Sequence, residues 1–154
     1  MRALPYLLII SMINSCIELE FMTPTFIDMM HYFAATDAEI GNTVSVNLLG
    51  FCIGAFLYGP LADIYGRRQV MLYGNALLVV GTLGCLLSPN LLLFYMMRGL
   101  QGLGAATSAV LVSIIIADRY QQDRAVKLYG LMNAVFTTLM AFSPMMPTIM
   151  MSPV

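Results

Sequence analysis

Long apolar runs separated by short polar breaks set the pattern of this chain. The first run goes from Leu4 to about Pro24, the second from about Gly41 to Ala62, the third from Val70 to Leu87 and the fourth from Leu91 to Ala117. A fifth starts at Leu128, is uninterrupted to Phe142, and reaches about residue 149 across Ser143-Pro144 and Pro147. Since roughly 20 helical residues cross the hydrocarbon core of a bilayer, the runs predict about five membrane helices. The breaks are polar: Asp28 to Glu39 with His31 and Asp37, then the stretch around Asp63 to Arg68, then Ser88-Pro89-Asn90, then Asp118 to Lys127. His31 reads as a solvated loop histidine, and Asp118, Arg119, Asp123 and Arg124 as a solvated loop.

Composition turns this pattern into a statement about solvent. Of 154 residues, 60% are hydrophobic and 10% charged, and mean hydropathy is +0.84. A soluble domain of this size cannot hide so much apolar surface, so an all-α protein in lipid is expected. The net charge of −1 argues against a nucleic-acid partner. Cys16, Cys52 and Cys85 each lie within an apolar run and have no metal-ligand spacing, so they read as packing or lipid-facing residues. The start, Met1-Arg2 followed by apolar residues and Ile13-Asn14-Ser15-Cys16, reads as an uncleaved first helix rather than a leader. No nucleophile-base pair, metal cluster or phosphate loop is present, which excludes a soluble enzyme and leaves no cofactor to expect.

The positions of the basic residues predict orientation. Arg2, Arg67, Arg68, Arg119, Arg124 and Lys127 fall at the N-terminus and in the second and fourth breaks, while the first and third breaks hold none. By the positive-inside rule the N-terminus is cytoplasmic. Small residues predict helix contacts: Gly50 and Gly54 on the second span, and Gly99, Gly102, Gly104, Ala105 and Ala106 on the fourth, allow close backbone approach where lipid removes the hydrophobic drive. Gly81 and Gly84 read as ordinary membrane-helix glycines.

The remaining basic residue, Arg98, lies inside a span. Such a guanidinium costs about 2.5 to 3.5 kcal/mol on insertion scales, so it faces a polar cavity or a partner, or else snorkels to the nearer surface roughly 10 Å away. Helical spacing puts Arg98, Gln101, Gly102, Ala105 and Ala109 on one face. On the first span Ser11, Asn14 and Glu18 share a face, and Glu20 points nearly opposite. Glu18 sits at a depth similar to that of Arg98 and is expected to approach it; Glu20 is read equally as a cavity acid and as an interfacial one.

The densest charge is in Gly59-Pro60-Leu61-Ala62-Asp63-Ile64-Tyr65-Gly66-Arg67-Arg68. Here Gly59 lets a backbone come close, Gly66 permits a tight reversal, and Asp63 can pair with Arg67 four residues on if the turn is helical. These ten residues resemble the loop signature G-x-L-x-D-x-x-G-R-R between the second and third helices of the major facilitator superfamily. Arg98-Gly99-Leu100-Gln101-Gly102-Leu103-Gly104-Ala105-Ala106 resembles that family's fourth-helix motif, and Glu20-Phe21-Met22-Thr23-Pro24 is similar to the end of the first helix in its drug:proton antiporters. Overall the chain is most similar to multidrug carriers of the bicyclomycin- and chloramphenicol-resistance branch.

The resemblance implies a six-helix N-terminal half built of inverted repeats, with substrate held between two halves. It implies that Asp63, assisted by Arg67, belongs to a cytoplasmic charge relay, that Arg98 serves proton coupling with Gln101 beside it, and that the substrate is small and amphipathic or drug-like. The antiporter fifth-helix pattern G-x-x-x-G-P-x-x-G-G is replaced by Ala141-Phe142-Ser143-Pro144-Met145-Met146-Pro147-Thr148-Ile149. The expectation is therefore a partial N-terminal domain, truncated before a sixth helix, in a bacterial inner membrane and not transport-competent alone. Two other readings stand beside it: a non-transporting membrane protein that engages a partner chain through its small-residue faces, and a minimal exporter that works as an oligomer.

Overall fold

The computed structural model describes residues 26–142. Every element among the described residues is helical: α1 (Phe26–Phe33), α2 (Asp37–Tyr65), α3 (Arg67–Leu86), α4 (Leu91–Arg119) and α5 (Gln122–Phe142). α2, α3 and α4 are each long and apolar enough to cross a membrane.

Local chemistry decides where each helix starts and stops. α2 begins earlier than the apolar run suggests, at Asp37 rather than Gly41, because Thr36-Asp37-Ala38-Glu39 forms a capping box. The Glu39 carboxylate accepts from the Thr36 backbone N–H at 2.8 Å, and the Thr36 hydroxyl oxygen accepts from the Glu39 N–H at 3.4 Å. The expected first polar connection is thus mostly helix, α1 and the first turn of α2, and His31 is an exposed residue in the last turn of α1. α2 then runs through Gly59 and Pro60 to Tyr65. Pro60 cannot donate to the Phe56 carbonyl, but the helix continues across it, as membrane helices permit.

The charged break between α2 and α3 is one residue long. Gly66 has φ 87° and ψ 138°, a conformation that suits glycine, and its N–H donates to the Ala62 carbonyl at 3.1 Å. At the next break Asn90 caps α4, its side-chain oxygen accepting from the Leu93 N–H at 2.9 Å. α5 starts at Gln122, six residues before the apolar run, so the expected fourth loop shrinks to Tyr120 and Gln121.

Packing centres on α4, which lies between α2 and α3. Contacts such as Gly50 with Gly99 and Gly54 with Ala106 ascend both sequences, so α2 and α4 are parallel; Gly74 with Thr107 and Gly84 with Met97 run in opposite senses, so α3 is antiparallel to α4. The reason is a run of small residues around the whole circumference of α4. From Gln101 to Ser108 every residue except Leu103 is buried, and Gly102, Gly104, Ala105, Ala106, Thr107 and Ser108 leave room for a helix on each flank. A methyl at Gly50 would overlap the Gly99 carbonyl, one at Gly102 the Asn47 carbonyl, and one at Gly54 would stand 2.8 Å from Ala106 Cβ.

Two glycines correct the sequence reading. Gly81 and Gly84 are contact residues: a Cβ on Gly81 would lie 2.7 Å from the Gln101 backbone nitrogen, and one on Gly84 would strike Met97. Gly59 departs the other way, with no described atom within 4 Å of a Cβ placed there. Outward faces carry large apolar side chains, including Phe56, Leu72, Leu86 and Met96. An apolar exterior around a core containing Arg98, Gln101, Asn47 and Thr107 suits lipid rather than water.

Candidate functional site

The bundle holds its polar chemistry on the half of α4 nearer Leu91. Arg98 is 6% exposed, and its guanidinium donates to Gln101 Oε1 at 2.8 Å, one turn along the same helix. On the other side its Cζ stands 5.8 Å from the centre of the Phe94 ring, within reach of a cation–π contact. Phe33, from the end of α1, packs against that ring at 5.3 Å between centroids. Among the described residues the charge therefore lies between an aromatic pair and an amide. With so little exposure, Arg98 takes the buried alternative and does not snorkel to the surface.

Neighbouring helices complete the setting. Asn47 of α2 donates from Nδ2 to the Arg98 carbonyl at 3.2 Å, tying the two backbones where Gly102 lets them approach. From α3, Thr82 accepts from Gln101 Nε2 at 3.0 Å, and the Cys85 thiol donates to Gln101 Oε1 at 3.6 Å. Deeper in the same interface Ser108 donates to Asn75 Oδ1 at 3.4 Å. Polar side chains thus stitch α4 to both flanks, the role such groups have inside membranes.

The stripe expected on α4 divides. Arg98 and Gln101 do meet, but Gln101 turns to α3, against Gly81, Thr82 and Cys85, whereas Gly102 turns to α2, against Asn47 and Phe51. Gly50, Gly54, Gly102 and Ala106 are all helix contacts. Glu18 and Glu20, and with them the expected approach of Glu18 to Arg98, lie outside the described residues, as does Cys16. Cys52 is exposed, while Cys85 is half-buried and its thiol also makes a polar contact, to Gln101. Sequence reasoning does not single out Asn47, Asn75, Thr82 and Ser108; an Asn within an apolar run is a signal that points to the first two.

A second charged cluster lies at the opposite end of the bundle, around Gly66. The Asp63–Arg67 pair that a helical turn would allow is not formed, because Gly66 ends α2 between them and starts a new helix axis. Arg67 instead pairs with Asp118, in the last turn of α4. Asp118 is therefore not simply a solvated loop acid. The pair also offsets an unfavourable start to α3, whose first two residues are Arg67 and Arg68 at the positive end of the helix dipole. Asp63 and Arg68 are exposed and have no ion pair among the described residues. Among those residues no group of His, Cys, Asp and Glu could hold a metal ion.

A bundle with lipid-facing sides, a buried arginine and a charged one-residue turn has counterparts in known proteins. The family model for the Major Facilitator Superfamily matches residues 8–153. The multidrug resistance protein Stp of Mycobacterium tuberculosis is 32% identical over 115 residues, covering 72% of this chain and 21% of Stp. The MFS-type transporter atr4 of Stereocaulon alpinum is 36% identical over 100 residues, covering 64% and 18%. The multidrug resistance protein MdtL of Shigella flexneri is 30% identical over 117 residues, covering 76% and 30%. The chain thus spans less than a third of the length of each of these relatives. With a match along nearly its whole length and helices suited to several membrane crossings, this chain is a multi-pass membrane protein that belongs to the Major Facilitator Superfamily.

Proposed function

We propose that the chain supplies N-terminal helices of a proton-coupled efflux carrier that exports small amphipathic or drug-like compounds by alternating access. Transport in this reading needs helices beyond these, because the chain matches less than a third of each relative named for multidrug resistance. The observation that carries the reading is Arg98, a guanidinium enclosed in the bundle with Gln101 as its amide partner. A carboxylate beside such a guanidinium takes up and releases a proton as its surroundings change. Glu18 and Glu20 are the proposed proton carriers.

The Gly66 end serves gating. Gly59, Asp63, Gly66, Arg67 and Arg68 form the proposed switch at the cytoplasmic surface of a bacterial inner membrane, with the N-terminus on the same side. Gly66 sets the α2–α3 angle, the Arg67–Asp118 pair ties α3 to the end of α4, and Asp63 is left exposed to meet a second helical half.

Inverted vesicles containing the whole carrier test this. Addition of an exported dye is expected to release protons in the wild type and in Thr137→Val, a change on the exposed side of α5, and to release none in Arg98→Gln at equal expression. Wild-type proton release by Arg98→Gln removes Arg98 from the coupling.

A further inference from the structure

We propose that Thr82 of α3 is a positioning residue, whose hydroxyl holds the Gln101 amide in the orientation that presents Oε1 to Arg98. Donors and acceptors around the amide have to match. A guanidinium only donates, so the Gln101 atom that faces it has to be Oε1. The Cys85 thiol donates to the same oxygen at 3.6 Å. The Thr82 hydroxyl hydrogen is taken by the Leu78 carbonyl, at 2.8 Å on its own helix, which leaves the Thr82 oxygen as an acceptor toward α4. The Gln101 NH₂ then donates to that oxygen at 3.0 Å.

Every contact in this series runs from donor to acceptor in one sense only. A flipped amide would set its NH₂ against the guanidinium and the thiol, donor against donor, and would bring two oxygens together at Thr82 unless that hydroxyl left Leu78. Close backbone approach makes the arrangement rigid, because at Gly81, the residue before Thr82, a Cβ would stand 2.7 Å from the Gln101 nitrogen. α3 thereby holds Arg98 at second hand. Thr82 orients an amide, and the amide holds the charge. In transport terms this rests on the role proposed for Arg98, but the geometry can be tested without transport.

The test uses the 154-residue chain in lipid nanodiscs, with Gln101 side-chain and Arg98 guanidinium signals followed by NMR. Thr82→Val keeps the shape and removes the hydroxyl; Thr82→Ser restores it. Thr137→Val is the control, since Thr137 donates to the Asn133 carbonyl at 2.9 Å in the same local way and stands on a different helix from Thr82. Loss of one hydrogen bond to an already charge-assisted network predicts Arg98 guanidinium hydrogen exchange about tenfold faster in Thr82→Val, near wild type in Thr82→Ser, and unchanged in Thr137→Val. Exchange in Thr82→Val within about twofold of wild type overturns the proposal, as does failure of Thr82→Ser to restore it. If Thr82→Val does not fold, Thr82→Ala against Thr82→Ser gives the same comparison. Because exchange is read without substrate, a negative result in nanodiscs leaves the coupling role of Arg98 standing, and proton release by Arg98→Gln vesicles leaves the positioning of Gln101 standing.

Discussion

A methyl group at Gly50 has nowhere to go, since the Gly99 carbonyl occupies the place its Cβ would take, and Gly102 meets the same obstacle in the Asn47 carbonyl. Backbone cannot swing aside as a side chain does, so the helices would have to separate. Gly50→Ala is expected to cost about 2 kcal/mol or more, by overpacking. Gly41→Ala, where no described atom comes within 4 Å, is expected to be neutral or to stabilise by up to about 1 kcal/mol through helix propensity. Unfolding in mixed micelles measures both, and equal effects would mean that α2 does not sit on α4 as described. At this scale the sequence is partly legible. Gly50, Gly54, Gly102 and Ala106 can be picked as contacts, because a small-residue repeat has few other purposes in lipid. Gly81 and Gly84 cannot, because a single glycine looks the same whether it faces lipid or a neighbour's backbone.

Among the elements, α2 shows how local chemistry overrides an apolar pattern. Hydropathy alone starts this helix at Gly41 and ends it at Ala62. The Thr36–Glu39 capping box and the Gly66 turn extend it to Asp37 and Tyr65. The capping box is readable as S/T-x-x-E, but it lies in a polar stretch that hydropathy assigns to a connection. The extent of the turn is not readable, since Gly59-Pro60 is an ordinary signal for chain reversal in water and is tolerated within a helix in lipid. Because one residue with φ 87° joins α2 to α3, Gly66→Ala is expected to cost about 1 to 3 kcal/mol. Gly59→Ala, inside the helix with no described neighbour, is expected to be neutral or stabilising. Thermal unfolding of the two variants side by side checks this, and a larger loss from Gly59→Ala would move the turn to Gly59-Pro60.

For the whole molecule, α4 has one flank parallel and one antiparallel, and its two ends carry different chemistry. The end near Asn90 leads to Arg98 and its amide; the other carries the Arg67–Asp118 pair. That pair is partly exposed, so Asp118→Asn is expected to change stability by less than about 1 kcal/mol. Its effect should instead appear in how readily the α3 and α4 ends separate. Cysteines introduced at Asn90 and Gln121, in a background with Cys16, Cys52 and Cys85 replaced by serine, are expected to react with an impermeant thiol reagent from opposite faces of sealed vesicles. Labelling of both from one face would contradict α4 as a membrane crossing. The direction found also tests the positive-inside assignment, since Gln121 neighbours Arg119 and Arg124.

What the sequence by itself determined was solvent, element type and that the chain crosses the membrane more than once. Lipid offers no partner to a bare peptide group or a stray charge, so apolar length and the placement of arginine and lysine already constrain the answer. Only the tertiary structure decided which face of α4 meets which neighbour. Rotational phase and register depend on how closely two backbones approach at Gly50, Gly74, Gly81, Gly102 and Gly104, and each such approach involves a second helix distant in sequence. The same approach brings Thr82 and Cys85 to Gln101, and Asp118 to Arg67, pairings that no spacing along one helix encodes.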